Sequence, residues 1–314
     1  MSQAPVKVAC PAYRPYQASV AQLKRLSPHF VRVTFTGPDF DTFGTDGLDQ
    51  RIKIVFPIAG HGISDFGADD EQTIADGTWY ARWRELPDAT RNPFRTYTVR
   101  AVRPALRELD VDMVSHGDGG PATRWLNHAA VGDEVVIIGP DASSIDSAIG
   151  IDWHPGAARH LLLAGDETAA PAIGAILESL PEGSSAQAFI ETSDAADHLL
   201  LRVPAGCQVT WLARGDQPVG TELDPAVRAW VADNLAVIRP SLAQAEQHLD
   251  DVDIDAGLLW DSPEAVPDGH FYAWLAGEAA AIKALRRFLV SETGIDRKRI
   301  AFMGYWRHGR AELQ

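Results

Sequence analysis

The chain has 314 residues, 46% of them hydrophobic and 23% charged, which is the balance of a globular protein long enough for two domains. Its formal net charge of -15 argues against a nucleic-acid partner and against binding to anionic membranes. The two cysteines, Cys10 and Cys207, are too few for a disulfide framework or a four-cysteine iron–sulfur cluster. Residues 1–16 lack the apolar segment of a signal peptide, and no uncharged stretch reaches the length of a membrane span. We therefore expect a cytoplasmic protein, and a monomer.

The first part of the chain predicts short antiparallel strands. Residues 30–36 and 51–57 alternate between apolar and polar side chains, with Lys53 on the face opposite to its isoleucine neighbours. Proline and glycine separate such strands, as in a small antiparallel β-barrel. Residues 59–93 are glycine-rich at first and then aromatic, so we interpret them as a long excursion between barrel strands that can hold a short helix.

Residues 95–100 place a cation, a planar aromatic ring and two hydroxyls on one predicted strand. Alternation sends Arg95 and Tyr97 to one face and Thr96 and Thr98 to the other. A flavin dinucleotide needs a guanidinium for its pyrophosphate, an aromatic ring for its isoalloxazine and a short polar group near N5. Because Thr98 faces away from Tyr97, its contact would need the backbone amide or a β-bulge. An ordinary amphipathic strand is the alternative interpretation.

The segment that follows predicts the phosphate end of the same site. A β-type run leads into a glycine-rich turn, and Pro121 then opens a helix at its first position. Free amides at a helix N-terminus can bind a pyrophosphate, although a plain helix start has the same pattern. The predicted flavin contacts of this segment are Met113, Val114, His116, Gly120, Pro121, Ala122 and Thr123.

From His160 the pattern changes to alternating strands and helices, which predicts a parallel sheet with both faces covered. Residues 161–164 are continuously apolar, as is typical of a buried parallel strand. Further strands are predicted at 187–191, 208–212, 271–275 and 299–303, with helices at 169–180, near 225–235, and at 278–293. We therefore predict two domains, residues 1–150 and residues 151–314.

The predicted sheet offers nucleotide contacts where its strands end. Residues 165–168 follow the first strand, where open α/β sheets bind ligands, but they lack a Gly-x-Gly-x-x-Gly pattern and include two acidic residues. Glu191 ends the second strand and could bind a ribose hydroxyl, which favours NADH. Arg214 follows the third strand and could bind the 2′-phosphate of NADPH. The two signals oppose each other, so both donors stay open. No histidine spacing indicates a metal site.

Taken in order, these segments resemble the ferredoxin-reductase superfamily, whose flavin signatures are an Arg-x-Tyr-Ser/Thr strand and a later Gly-x-x-Ser/Thr helix start. The C-terminal motif Gly304–Glu312 resembles the terminal signature of siderophore-interacting proteins, the NAD(P)H-dependent ferric-siderophore reductases. Residues 51–57 and 164–173 also resemble that family. The resemblance runs from about Val20 to Glu312, nearly the whole chain.

The resemblance implies an antiparallel β-barrel flavin domain followed by an α/β parallel-sheet nucleotide-binding domain. It implies FAD as cofactor, NADH or NADPH as donor, and a ferric siderophore as substrate. The residues implied at the nicotinamide half are Gly165, Asp166, Glu167, Thr168, Gly277 and Glu278. The residues implied around the siderophore are Lys53, Arg124, Arg307, Tyr305 and Trp306, for which unrelated surface charges and ordinary core packing are the alternatives.

Electrons are then expected to pass from the nicotinamide through FAD to Fe(III), and the Fe(II) formed is held weakly by hard-oxygen chelators. We expect no catalytic side chain, because the flavin carries the chemistry. Three other interpretations stay open: a general flavin reductase, a flavoprotein that takes electrons from a ferredoxin, and a siderophore-binding protein without turnover.

Overall fold

The computed structural model describes residues 6–44, 46–115, 120–249, 252, 257, 259–264 and 269–309. The chain divides into two compact units, and the division falls between Ile151 and Asp152. The described helices include none that is long and apolar enough to cross a lipid bilayer.

The described residues of the first unit form one antiparallel sheet. Its strands are β1 (Tyr13–Arg25), β2 (Phe30–Thr36), β3 (Arg51–Val55), β4 (Phe94–Thr98), β5 (Ala101–Arg103), β6 (Glu108–Val114) and β7 (Glu134–Pro140). They are ordered β4-β3-β7-β1-β2-β6-β5, and the backbone amide of Arg100 donates to the carbonyl of Asp110 at 2.9 Å. This bond ties the end of β4 to β6, near the other edge, so the sheet curls into a half-barrel. The predicted antiparallel flavin-domain fold is confirmed.

Strand β1 was not predicted from the sequence. Its pairing with β2 shifts register between Val20 and Gln22, so the apolar alternation is interrupted within the strand. Tyr16 on this strand is buried, and its hydroxyl donates to the carbonyl of Pro140 at 3.0 Å. Burial raises the pKa of Tyr16 to about 12. A bulged strand of this kind is visible only once its partners are known.

The two faces of this sheet carry separate apolar clusters. The inner cluster includes Phe35, Ile52, Ile54, Phe56, Val111 and Met113, and it is closed by α3 (Pro121–His128) through Ala122 and Leu126. The outer cluster includes Val55, Phe66, Trp83, Phe94 and Ile138. The predicted excursion thus covers the outer face, with the helices α1 (Glu71–Asp76) and α2 (Trp79–Glu85).

Helix α1 shows how local chemistry bounds an element. The side chain of Asp70 accepts the backbone amide of Thr73 at 2.7 Å, which is an N-cap. Gly77 ends the helix in the left-handed region at φ 67°, where glycine carries no steric cost.

The described residues of the second unit form a sheet of six strands. They are β8 (His160–Asp166), β9 (Ser185–Thr192), β10 (Cys207–Ala213), β11 (Trp260–Asp261), β12 (Phe271–Glu278) and β13 (Ile300–Trp306), in the order β10-β9-β8-β12-β13-β11. All neighbours pair in parallel except β11 with β13. The predicted parallel α/β sheet is confirmed, with an antiparallel edge strand added.

The helices of this unit are α4 (Ala170–Ser179), α5 (Leu223–Asp233), α6 (Leu235–Ile238) and α7 (Ala279–Arg286). Helix α7 continues as a π-helical segment, Arg287–Glu292, before Gly294 at φ 82°. The single helix predicted at 278–293 is therefore an α-helix followed by a π-helical segment.

The sheet order places a ligand crevice. Strand β8 lies beside both β9 and β12, while the chain runs from β8 to β9 on one side and from β12 to β13 on the other. Where the strand order reverses in this way, open α/β sheets bind their ligands between the loops at the carboxyl ends of the two strands. We call this place the β8/β12 crevice.

Candidate functional site

The two faces of β4 carry different side chains, as alternation predicts. Across the β3–β4 ladder, Tyr97 pairs with Ile52 and Arg95 with Ile54, and Tyr97 packs against the inner cluster. On the outer face, the Lys53 ammonium lies 3.2 Å from the Thr96 hydroxyl and 4.6 Å from the centre of the Phe94 ring. Tyr97 and Arg95 thus share the face that a flavin would need, and Lys53 lies on the other.

Thr98 lies on the outer face as well, and its side chain is buried there. The β3–β4 register is continuous from Arg51 opposite Thr98 to Val55 opposite Phe94. A bulge that re-aims Thr98 is therefore wrong, because no residue is inserted. Of the two routes left open by the sequence, only the backbone amide of Thr98 could serve a ligand on the Tyr97 face.

The Arg95 side chain is half-buried, and its Nη1 donates to the backbone carbonyl of Phe94 at 2.7 Å. This bond holds the root of the guanidinium against the strand. A guanidinium is a planar group of N–H donors that can bind two oxygens of a phosphate at once.

Helix α3 begins as the phosphate-site prediction requires. Gly120 is extended at φ -145°, no side chain caps the helix, and its first turn contains no acidic residue. Among the described residues, a Cβ at Gly120 would meet no atom within 4 Å. Thr123 is half-buried and Arg124 exposed, while Ala122 faces the core. Amides left in this state at a helix start attract anionic oxygens.

Three other predicted flavin contacts have different surroundings. The Met113 side chain is fully buried in the inner cluster, so it cannot line a ligand with that side chain. Val114 ends β6 and pairs with Phe30. His116 lies outside the described residues.

Trp125 is a residue of this region that the flavin prediction did not include. Its ring lies 5.1 Å from that of Phe56 and 6.2 Å from that of Phe35, centroid to centroid. Its indole nitrogen is buried and has no hydrogen-bond partner among the residues that the structure describes. An unpaired buried donor costs on the order of 1–3 kcal/mol, and such groups usually find an acceptor. The sequence signal that could have predicted this residue as a flavin contact is its position, one turn into a helix that has no capping side chain.

These observations test whether the first unit fits FAD. A dinucleotide rich in acceptor oxygens needs a positive charge, a ring to stack on and hydrogen-bond donors. Arg95 supplies the charge and Tyr97, on the same face, supplies the ring. The uncapped start of α3 and the indole nitrogen of Trp125 supply donors. The residues present therefore fit the cofactor.

In the second unit, Asp166 lies at the carboxyl end of β8 and is 1% exposed. Its Oδ1 accepts the amide and hydroxyl of Thr168 at 2.9 and 2.5 Å. Its Oδ2 accepts the backbone amide of Glu278 at 2.7 Å and the indole N–H of Trp306 at 2.8 Å. Burial, followed by the charge of Glu167, raises the pKa of Asp166 to about 6, although the bonds from Thr168 and Trp306 oppose the shift.

Arg214 and Glu167 form a bidentate pair beside this group, with both nitrogen–oxygen distances 2.7 Å. Burial alone would lower the pKa of Arg214, but the hydrogen bonds and charge of Glu167, with the charges of Glu191 and Asp166, raise it. The predicted contact of Arg214 with a 2′-phosphate would have to compete with this pair.

Glu191 is fully buried and makes a different contact from the one predicted. Its carboxylate accepts the backbone amides of Gly220, Glu222 and Leu223 at 2.7, 2.9 and 3.0 Å. It therefore satisfies the amides at the start of α5, and a ribose hydroxyl would have to displace one of them.

Glu278 caps the next helix. Its Oε2 accepts the amides of Ala280 and Ala281 at 2.7 and 3.0 Å, and its Oε1 accepts the amide of His308 at 3.3 Å. The C-terminal strand end is thus bound to the carboxyl end of β12 and to Asp166. Tyr305, next to Trp306, stacks on Trp260 at 5.8 Å between ring centroids.

Close packing explains why glycine occupies positions 165 and 277 at this edge. A Cβ on Gly165 would lie 2.4 Å from the carbonyl oxygen of Ala276, and one on Gly277 would lie 2.6 Å from the Asp166 carboxylate. Gly277 also has φ 148°, which side chains rarely adopt. Both glycines let β8 and β12 approach each other.

The three predicted basic positions are not one cluster within a unit. Lys53 lies on the outer face of the sheet, whereas Arg124 is exposed on α3, which packs against the inner face. Arg307 is half-buried and belongs to the second unit. Within the described part of the chain, no group of three or more histidine, cysteine or acidic side chains could hold a metal ion.

Comparison with known proteins identifies the family. The profile of the siderophore-interacting FAD-binding domain matches residues 19–144, and that of the siderophore-interacting protein matches residues 158–309. The ferric vibriobactin reductase ViuB of Vibrio cholerae is 31% identical over 92% of this chain and 88% of its own length. The chain belongs to the siderophore-interacting protein family.

Two further relatives of this siderophore-interacting protein agree. An uncharacterised protein of Mycobacterium tuberculosis is 36% identical, covering 96% of this chain and 93% of its own. The crystal structure of a siderophore utilization protein from T. fusca is 29% identical with a TM-score of 0.67, covering 98% of each chain. Ferredoxin reductases share the two-domain fold at lower identity.

The predicted family and fold class are therefore confirmed. The first unit of this siderophore-interacting protein is an FAD-binding domain, and a nicotinamide reductant fits the family. The protein is an oxidoreductase. The roles of individual residues stay predictions.

Proposed function

We propose that this chain reduces ferric siderophores, taking electrons from NADH or NADPH through FAD to Fe(III) and so releasing ferrous iron. The observation that carries the proposal is the FAD-compatible surface of Arg95, Tyr97 and the uncapped α3 on a domain that matches the siderophore-interacting FAD-binding profile. When bound, FAD accepts two electrons as hydride and returns them singly, so one nicotinamide supplies two ferric centres.

On the flavin side, the chain binds and orients. Arg95 and the first amides of α3 would hold the pyrophosphate, since N–H donors of both kinds bind anionic oxygens. Tyr97 would hold the ring system by stacking, and the backbone amide of Thr98 would be the polar group for N5. Gly120, Pro121, Ala122 and Thr123 contribute backbone and hydroxyl donors, and Val114 borders the same site.

On the nicotinamide side, we propose that the dinucleotide meets the backbone of two loops, residues 165–168 and 277–278. Their side chains support this arrangement indirectly, because Asp166, Glu167 and Glu278 are satisfied by partners within the protein. A carboxylate that is already paired repels a pyrophosphate less than an unpaired one.

On the substrate side, Lys53, Arg124, Arg307, Tyr305 and Trp306 are proposed as separate candidate contacts, because Lys53 and Arg124 lie on opposite sides of the first sheet. Ferric siderophore complexes are often anionic, and a chain with a net charge of -15 needs local cations to attract them. We further propose that the protein acts in the cytoplasm and as a monomer.

The test is the visible spectrum of the purified protein without oxygen, first with NADH or NADPH and then with a ferric siderophore. Bleaching of the flavin bands by a nicotinamide, followed by their recovery on addition of the ferric complex, supports the whole path. An oxidised flavin that neither nicotinamide bleaches points to a reduced ferredoxin as donor. Recovery with free flavin but not with the ferric complex points to a general flavin reductase.

The flavin site is tested separately by Arg95→Ala. Losing charge-assisted hydrogen bonds of about 1.5–3 kcal/mol should weaken FAD binding at least about tenfold. The matched control is Arg84→Ala, because Arg84 is exposed on α2. Full flavin occupancy in Arg95→Ala contradicts the site, and a colourless wild-type protein supports a binding protein without turnover.

A further inference from the structure

The carboxylate of Asp166 joins three separate segments of the second unit. It accepts hydrogen bonds from Thr168 in the turn after β8, from the amide of Glu278 between β12 and α7, and from the indole of Trp306 at the end of β13. Trp306 is 140 residues away in sequence from Asp166. A single buried side chain therefore fastens the C-terminal strand end to the β8/β12 crevice.

The hydrogen bonds to Asp166 favour its ionised form. Each oxygen of Asp166 accepts two bonds, Oδ1 from Thr168 and Oδ2 from Glu278 and Trp306. Bonds of this kind are stronger when the acceptor is charged. A protonated Asp166 could direct its O–H at the Thr168 hydroxyl, which can also accept, and the bonds from Glu278 and Trp306 would then lose the charge that strengthens them.

We propose that Asp166 is a positioning residue: its carboxylate holds the Trp306 indole and the 277–278 turn in place at the β8/β12 crevice for reduction of the flavin by the nicotinamide. The proposal rests on the proposed function, which assigns this crevice to the donor. Asp166 touches neither substrate nor cofactor in this role, and it acts through Trp306 and through the backbone of Glu278.

The charges around Asp166 make this role sensitive to pH. The groups that face it are the carboxylates of Glu167, Glu191 and Glu278 and the guanidinium of Arg214. Burial and Glu167 raise the pKa of Asp166 to about 6. The nicotinamide KM should therefore rise as the pH falls through about 6.

The first experiment compares Asp166→Asn, Trp306→Phe and the double variant in anaerobic stopped-flow reduction of the holoenzyme at increasing NADH concentrations. The NADH concentration that gives half of the maximal reduction rate is taken as the KM. The asparagine amide nitrogen faces donors, and phenylalanine lacks the indole N–H. Each single variant should raise the NADH KM about tenfold with unchanged flavin content, and the double variant should be no worse than either. A wild-type KM in Trp306→Phe overturns the proposal, even where Asp166→Asn fails to fold.

The second experiment follows the Trp306 indole N–H by NMR of the ¹⁵N-tryptophan-labelled protein, assigned by its absence in Trp306→Phe. The resonance should titrate between pH 5 and 7.5 with a midpoint at about 6, and it should not titrate in Asp166→Asn. A resonance that is identical in wild type and Asp166→Asn overturns the proposal. This readout needs no turnover, so it stands apart from a failure of the proposed function.

Asp110→Asn is the matched control for loss of a buried carboxylate. Asp110 is 5% exposed and hydrogen-bonded within the first unit, on β6. The Asp110→Asn substitution should lower stability while leaving the NADH KM and the Trp306 resonance unchanged. A KM that rises equally in Asp110→Asn and Asp166→Asn would mean a general structural effect and would overturn the positioning role.

Discussion

Arg214 and Glu167 form a bidentate salt bridge at the carboxyl edge of the second sheet, with both nitrogen–oxygen distances 2.7 Å. Both side chains are nearly buried, at 9% and 4% exposure, so the pair is little screened by solvent. The guanidinium that the sequence offered to a 2′-phosphate is thus already occupied.

The first prediction concerns donor preference. The wild-type protein should use NADH at least as well as NADPH, because Glu167 already neutralises the charge of Arg214 and occupies its donors. Glu167→Gln should raise kcat/KM for NADPH relative to NADH about tenfold or more, since a hydrogen bond to a charged group contributes about 1.5–3 kcal/mol. Steady-state kinetics with both donors measures this ratio. The double variant Glu167→Gln with Arg214→Gln should abolish the gain, and a wild-type preference for NADPH contradicts the prediction.

The second prediction concerns Glu191, whose carboxylate accepts three backbone amides at the start of α5. Glu191→Ala should lower the free energy of unfolding by about 2–3 kcal/mol, because the amides lose a charged acceptor. Denaturant titration measures the loss. Glu222→Ala is the control, because the Glu222 side chain is exposed and should change stability by less than about 0.5 kcal/mol. Equal stability in the two variants would remove the capping role.

The third prediction follows from the raised pKa of Asp166, about 6 in the folded protein. Between the usual aspartate pKa of about 3.9 and this value, the folded protein binds more protons than the unfolded chain. The contribution of Asp166 to the free energy of unfolding therefore falls as the pH rises from about 4 to about 6. The total loss is about 3 kcal/mol, since each pH unit costs about 1.4 kcal/mol. Unfolding of the second unit at pH 5 and pH 7 should show about half of this loss, about 1.4 kcal/mol, in wild type and not in Asp166→Asn. A parallel pH dependence in both proteins contradicts it.

The fourth prediction has the opposite sign. Burial alone would raise the pKa of Asp110, but hydrogen bonds from Arg103 and Thr34 and the charges of Arg103 and Arg32 lower it overall. The stability that Asp110 contributes is present above the unfolded pKa and is lost as the pH falls through the lower folded pKa. Asp110→Ala should cost about 3 kcal/mol at pH 7, because a buried pair loses one partner.

The fourth prediction is checked by denaturation between pH 3 and pH 7. The difference between wild type and Asp110→Ala should shrink as the pH falls below about 4. Leu106→Ala, at an exposed position between β5 and β6, is the control and should show a small difference at every pH. A difference that stays constant for Asp110→Ala would show that packing, rather than charge, causes the loss.

The faces of β4 were predictable because strand alternation is local. A period of two residues assigns Tyr97 to one face and Thr98 to the other without knowledge of any partner. The uncapped start at Gly120 and Pro121 is likewise a property of a few adjacent residues. The residues of the candidate flavin site could therefore be predicted from the sequence. Trp125 is the exception, because the environment of its indole nitrogen depends on the packing around Phe56.

The sequence predicted which residues lie at the carboxyl edge of the second sheet, but not which of them form hydrogen bonds or ion pairs with each other. The strand ends bring Asp166, Glu191, Arg214 and Glu278 to one edge, as parallel topology requires. Which carboxylate accepts which donor depends on distances set by the packing of helices α5 and α7. Glu191 consequently caps a helix where the sequence indicated a ribose contact.

The sequence by itself determined the family, the two-domain fold and the faces of the flavin strand, because ordered motifs and short-range periodicity carry that information. Only the tertiary structure decided the partners of the buried charges. Asp166 meets Trp306 across 140 residues of chain, and Arg214 meets Glu167 across 47. Contacts at that separation arise from the strand order of the folded sheet, which no local pattern specifies.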